Sequence, residues 1–155
     1  MTENQAILLS EGMSIAGFLN TWNATELFKF KPSMYGQFMS NIDISVTPIS
    51  GWVRFSVSVN EIPSLKKSNW KSFDKHLIIK TSDKNFSNDG TYYVLVYQDD
   101  LTTQNSSSYQ IKWSTANTHN LLKTGVPLNG RTVLNEIDYY KYIINSEDLN
   151  KDILI

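Results

Sequence analysis

Ile42-Asp43-Ile44-Ser45-Val46 and Val53-Arg54-Phe55-Ser56-Val57-Ser58-Val59 decide the fold class of this chain. In each stretch apolar and polar residues alternate strictly, which separates them onto the two faces of a β-strand and marks a strand buried on one side. Pro48-Ile49-Ser50-Gly51 between them supplies a preset φ and a glycine, so the pair reads as an antiparallel hairpin with a loop longer than the tightest class. Working outward, strands are expected at 26–31, 76–81, 91–97 and 108–114, with a weaker one at 6–10. Helical apolar spacing is never sustained; one short turn at 32–39 is the only helical expectation. About seven short strands punctuated by turn residues predict an all-β antiparallel β-sandwich of jelly-roll type, with a closed barrel as its rival. The polar segments 62–74, 82–90 and 99–107 then become loops at the ends of the sandwich, where function usually sits.

The chain has 155 residues, of which 41% are hydrophobic and 19% charged, enough apolar surface for one folded domain or a domain plus part of another. Fourteen basic and fifteen acidic side chains leave a formal charge of −1, so no field draws the chain to nucleic acid or anionic lipid. Cysteine is absent, which removes disulfides, thiolate metal sites and cysteine nucleophiles together. Met1–Gln5 carries no basic residue and Ala6-Ile7-Leu8-Leu9 is too short for a signal sequence; no apolar run approaches the roughly 18 residues that span a bilayer.

Compared with itself, the chain repeats. Leu8-Leu9-Ser10-Glu11-Gly12, Gly17 and Phe28-Lys29-Phe30 are matched in order by Leu121-Leu122-Lys123-Thr124-Gly125, Gly130 and Tyr140-Lys141-Tyr142, at offsets of 113, 113 and 112. Asn41-Ile42-Asp43-Ile44-Ser45-Val46 is matched by Asn150-Lys151-Asp152-Ile153-Leu154-Ile155 at 109. The expectation is a module at 1–118, with a short polar junction at 115–120, and the start of a second, similar module at 119–155 that stops inside a strand.

Candidate chemistry is sparse. The two histidines, His76 and His119, stand far apart, and neither an i, i+4 histidine pair nor a Gly-x-Ser-x-Gly elbow is present, so no catalytic residue is assigned. Both read as surface residues. Asp83, Asp89, Asp99 and Asp100 fall in predicted loops that a sandwich can gather at one end, which makes a calcium site conceivable; Asn88-Asp89-Gly90 is more economically a turn. No other cofactor is expected. Of the four tryptophans, Trp52 and Trp113 belong to strand patterns and read as core, while Trp22 and Trp70 sit in polar segments and are the candidates to stack on a carbohydrate ring.

Gly12 and Gly17 leading to Phe28-Lys29-Phe30, then Gly90-Thr91-Tyr92-Tyr93-Val94-Leu95-Val96, then Ser108-Tyr109-Gln110-Ile111-Lys112-Trp113, resemble the bacterial pre-peptidase C-terminal domain over about residues 8–114. The Asp-Leu-Tyr type strand of that family is missing, since Val53-Arg54-Phe55-Ser56-Val57 holds its place, so no metal or ligand site is carried over. The resemblance implies a jelly-roll-like sandwich without catalytic residues, appended to secreted or surface proteins. The expected partners are other domains of the parent protein or a surface ligand, with neither nucleic acid nor membrane insertion. The expected role is a spacer or partner-binding module of a repeat-bearing extracellular or cell-surface protein. The alternative is a ligand-binding module, through tryptophan or calcium.

Overall fold

The structure, a computed structural model, describes residues 2–21, 23–32, 40–72, 74–98, 106–116, 118–128, 130 and 137–144. After a single 3-10 turn at Glu3–Gln5 come β1 (Ile7–Leu8), β2 (Ile15–Leu19), β3 (Thr25–Phe30), β4 (Ile42–Ser50), β5 (Val53–Val59) and β6 (Trp70–Ser72). The chain continues with β7 (His76–Ile79), β8 (Tyr92–Gln98), β9 (Ser107–Thr115), β10 (His119–Leu122) and β11 (Tyr139–Tyr142). The fold is an all-β sandwich. One sheet has the order β1-β3-β8-β5-β6, the other β2-β9-β4-β7, and β10 and β11 form a separate pair. Two distinct sheets replace the closed barrel.

Alternation builds the core. Phe28, Phe30, Phe55, Val57, Tyr92, Val94 and Val96 project from the five-stranded sheet onto Leu19, Ile42, Ile44, Val46, Ile79, Tyr109, Ile111 and Trp113 of the four-stranded one. Its centre is aromatic: Phe30 stacks on Trp113 at 4.4 Å and on Tyr92 at 5.3 Å, and the Trp113 indole N–H donates to the Leu9 carbonyl at 3.1 Å. The alternate residues of β8 are covered too. Tyr93 and Leu95 join Leu27 in a small cluster with Ala6, and the Tyr93 hydroxyl donates to Glu3 at 2.6 Å. That hydrogen bond, reinforced by burial, pushes the Tyr93 phenol up to about 12.

All seven expected strands are present, and within residues 1–118 the structure adds two, β2 and β6. Ala16 and Gly17 interrupt the apolar pattern of β2, and β6 is three residues long inside the segment 62–74 that reads as a loop. The larger correction concerns the founding pair. β4 and β5 do not form a hairpin: β4 pairs with β7 and β9, while β5 pairs with β6 and β8 in the opposite sheet. The register along β4 shifts between Pro48 and Ser50, and the chain crosses at Gly51, whose φ is +69. Alternation is equally satisfied by both arrangements, because in an arch the two apolar faces meet across the core instead of lying side by side. The turn expected at 32–39 lies, but for Pro32, outside the described residues.

Candidate functional site

The tryptophans exchange places relative to expectation. Trp70 is half-buried in β6, packed against the core with its ring 6.1 Å from Tyr92, and its indole N–H donates to Asp83 Oδ2 at 3.1 Å. Trp52, read as core, is 63% exposed beside the Gly51 crossing. Trp113 is core, as read. Trp22 lies outside the described residues.

Of the four loop aspartates, Asp83 and Asp89 fall among the described residues. Asp83 accepts the Trp70 indole and the Lys80 backbone N–H, both at Oδ2 and both at 3.1 Å, which makes it the pin of a turn. Asp89 is exposed in the turn before β8. Asp99 and Asp100 lie outside the described residues. No group of three or more His, Asp or Glu side chains among the described residues is placed to hold a metal ion.

Polar groups converge instead on the junction at 115–120. The turn Ser10–Met13 closes with a Met13 N–H to Ser10 carbonyl bond of 3.2 Å and carries Gly12 at φ +70. Glu11 Oε1 accepts the Thr115 hydroxyl at 2.8 Å and also the Thr118 hydroxyl, while the Thr115 N–H donates to Thr118 Oγ1 at 2.7 Å. Gly12 bonds on both sides, donating to the Trp113 carbonyl and accepting from the Leu121 N–H, each at 2.9 Å. A Cβ at position 12 would stand 2.7 Å from Thr118 Cγ2 and 3.0 Å from the His119 carbonyl oxygen, so glycine is required for the approach as well as for the φ.

A second cluster lies on the outer face of the four-stranded sheet. Ser45, Thr47, Gln110, Lys112 and Ser114 point away from the core yet are buried. His76 reads from sequence as a surface residue, but its side chain is only 8% exposed and its Nδ1 stands 3.1 Å from Asp43 Oδ1. Lys112 Nζ sits over the Tyr140 ring, 5.8 Å from its centroid. Burial lowers the Lys112 ammonium, against which the carboxylates of Asp43 and Asp138 act. Burial and Asp138 raise the Tyr140 phenol. A small cleft between Asn41, Asp43 and Ser114 on one side and Ile137 and Asp138 on the other marks the same contact. Lys112 is 2% exposed beneath Tyr140, so the cluster holds β11 against the sheet. Sequence reasoning missed these residues because the polar face of a half-buried strand ordinarily faces water.

The two ends of the chain have the same local geometry. β1 pairs with β3 in parallel at Ile7↔Phe28 and Leu8↔Lys29, and β10 pairs with β11 in parallel at Asn120↔Tyr140 and Leu121↔Lys141, the positions that the sequence match equates. Gly125 has φ +70, as Gly12 has, and the Val126 N–H to Lys123 carbonyl bond of 3.1 Å repeats that of Met13 to Ser10. The fourth matched block, 150–155, lies outside the described residues.

No family model matches the chain, and no curated protein matches it. Among solved structures it is similar to the pre-peptidase C-terminal domain of a collagenase from Bacillus anthracis, at 20% identity and a TM-score of 0.46, over 70% of this chain and 93% of that one. This is the family whose motifs residues 8–114 resemble. No helix among the described residues is long and apolar enough to cross a membrane.

Proposed function

We propose that the chain is a non-catalytic β-sandwich module, followed by the first strands of a second one, from a repeat-bearing secreted or cell-surface protein in which it serves as a structural spacer. The observation that carries this reading is the identity of pairing and turn at the two ends. A parallel pair at matching register, preceding the same left-handed glycine turn, is a specific arrangement, and it recurs where the sequence match requires it. The side-chain environment agrees. Ile137, Ile143 and Ile144 remain more than half exposed instead of entering the first core, and the surface that β11 covers is polar. Uncovering polar groups costs little, since water replaces their partners.

The test is a chain ending at Asn120. It should melt within a few degrees of the full chain, because every residue of the central core precedes that point. A collapse of the first sandwich would show that 121–155 belongs to its core and would sink the repeat reading. Calcium provides a further check: a site on the folded protein would raise the melting temperature by mass action, and none is expected at millimolar concentration.

A further inference from the structure

We propose that the junction between the two units is a rigid joint, in which the Glu11–Gly12 turn clasps the connecting segment and fixes the direction of the second unit relative to the first. The proposal deepens the repeat reading and rests on it for its biological meaning; its physical content stands on the contacts alone. A free connector of three residues, 116 to 118, would let its ends wander over a root-mean-square distance of about 10 Å. Here the connector is not free. The hydroxyls of Thr115, at the end of β9, and of Thr118, in the connector, share one carboxylate oxygen of Glu11, and Thr118 and Asn120 are 8% and 3% exposed.

Fixing a strand pair in orientation takes anchors on both strands, and both are present. β10 is held by the Leu121 N–H on the Gly12 carbonyl, with the Lys123 ammonium on the Ser14 carbonyl at 3.3 Å just beyond it. β11 is held by Tyr140 over Lys112, where Asp43 of the first unit and Asp138 of the second flank one buried ammonium. Rotation about either anchor breaks the other. An array built with such joints is a stiff spacer that carries orientation from one unit to the next, unlike beads on a flexible string.

The absence of cysteine makes the test direct. Spin labels at Lys71→Cys on β6 and Lys141→Cys on β11, both exposed, report the inter-unit distance in the full chain by double electron–electron resonance. The expected result is a single narrow distance peak, lost to a broad distribution in Glu11→Ala, with the fluorescence of buried Trp113 confirming that the first unit stays folded. If Glu11→Ala unfolds, Thr118→Val removes the Thr118 hydroxyl's bonds to Glu11 and to the Thr115 N–H while keeping the γ-methyl group, and carries the test. A broad distribution in the unaltered chain overturns the proposal, and so does a narrow one that survives loss of the clasp. Failure of the repeat reading appears elsewhere, as collapse of the chain ending at Asn120, and leaves the distance measurement intact.

Discussion

The β1–β3 pair and the β10–β11 pair share direction, register and a glycine turn, yet they differ in what covers them. Phe28 and Phe30 on β3 are fully buried, whereas Tyr140, which the sequence match places opposite Phe28, is 43% exposed. β3 has β8 on its other edge, from Thr25↔Tyr97 to Phe30↔Tyr92, and β11 has no second neighbour among the described residues. Local sequence is therefore sufficient to set a turn and a register. Burial requires the non-local strands that only a whole sandwich supplies.

The comparison is broken most severely at the buried end. Phe30→Ala removes a ring stacked between Tyr92 and Trp113 and should cost about 3–5 kcal/mol by urea denaturation. The matched Tyr142→Ala, which loses a 2.9 Å hydroxyl contact with Thr124, should cost no more than about 1 kcal/mol. The glycines come next. Gly12→Ala meets both the left-handed φ and the crowding by Thr118, so a loss of about 2–4 kcal/mol is expected in thermal melts. Gly125→Ala, with nothing within 4 Å of the added Cβ, should show only the conformational cost of about 1–2 kcal/mol. Equal losses at the two positions would mean that the clasp adds nothing to the turn.

The gentlest probe is alkaline pH. Burial and the Glu26 carboxylate raise the Tyr109 phenol, burial raises Tyr92, and Tyr93 stands at about 12. A phenol whose folded value exceeds its unfolded value of 10.0 keeps the folded state protonated while the unfolded chain ionises. Its contribution is thus complete below pH 10 and is lost as the pH rises through the folded values. Lys112 works the other way: its folded value lies below its unfolded 10.5, so its small opposition to folding fades as the pH approaches that value. Denaturation midpoints should stay level up to about pH 10 and fall above it, and Tyr93→Phe should flatten the fall. A decline that begins at neutral pH would contradict the assignment.

Much of the sandwich was legible because β5 and β9 alternate apolar and polar residues, and the core residues of those strands follow from that period. The arch at Gly51 was not, since alternation tells which residues share a face and leaves open which sheet a strand joins. β2 escaped because Gly17 places no side chain on the inward face at the point where the pattern needs one. The junction cluster escaped for a different reason. Asp43, His76 and Lys112 occupy polar-face positions that water ordinarily covers, and only the placement of β11 shows that protein covers them. Glu11 gives no sign in sequence of the two hydroxyls it gathers, which come from residues more than 100 positions away.

β9 pairs with β2 on one side and β4 on the other, so it is the central seam of the four-stranded sheet and also the last strand in sequence of the two packed sheets. Ile15 meets Ile111 only once every other strand of the two packed sheets has been synthesised. Until then β2 has no partner, β4 can pair only with β7, and half of the core stands open. Such long-range closure is slow, on the order of milliseconds to seconds for β-sandwiches. On the ribosome the sandwich would emerge as an unsealed shell and close in a single late step, when β9 inserts between β2 and β4.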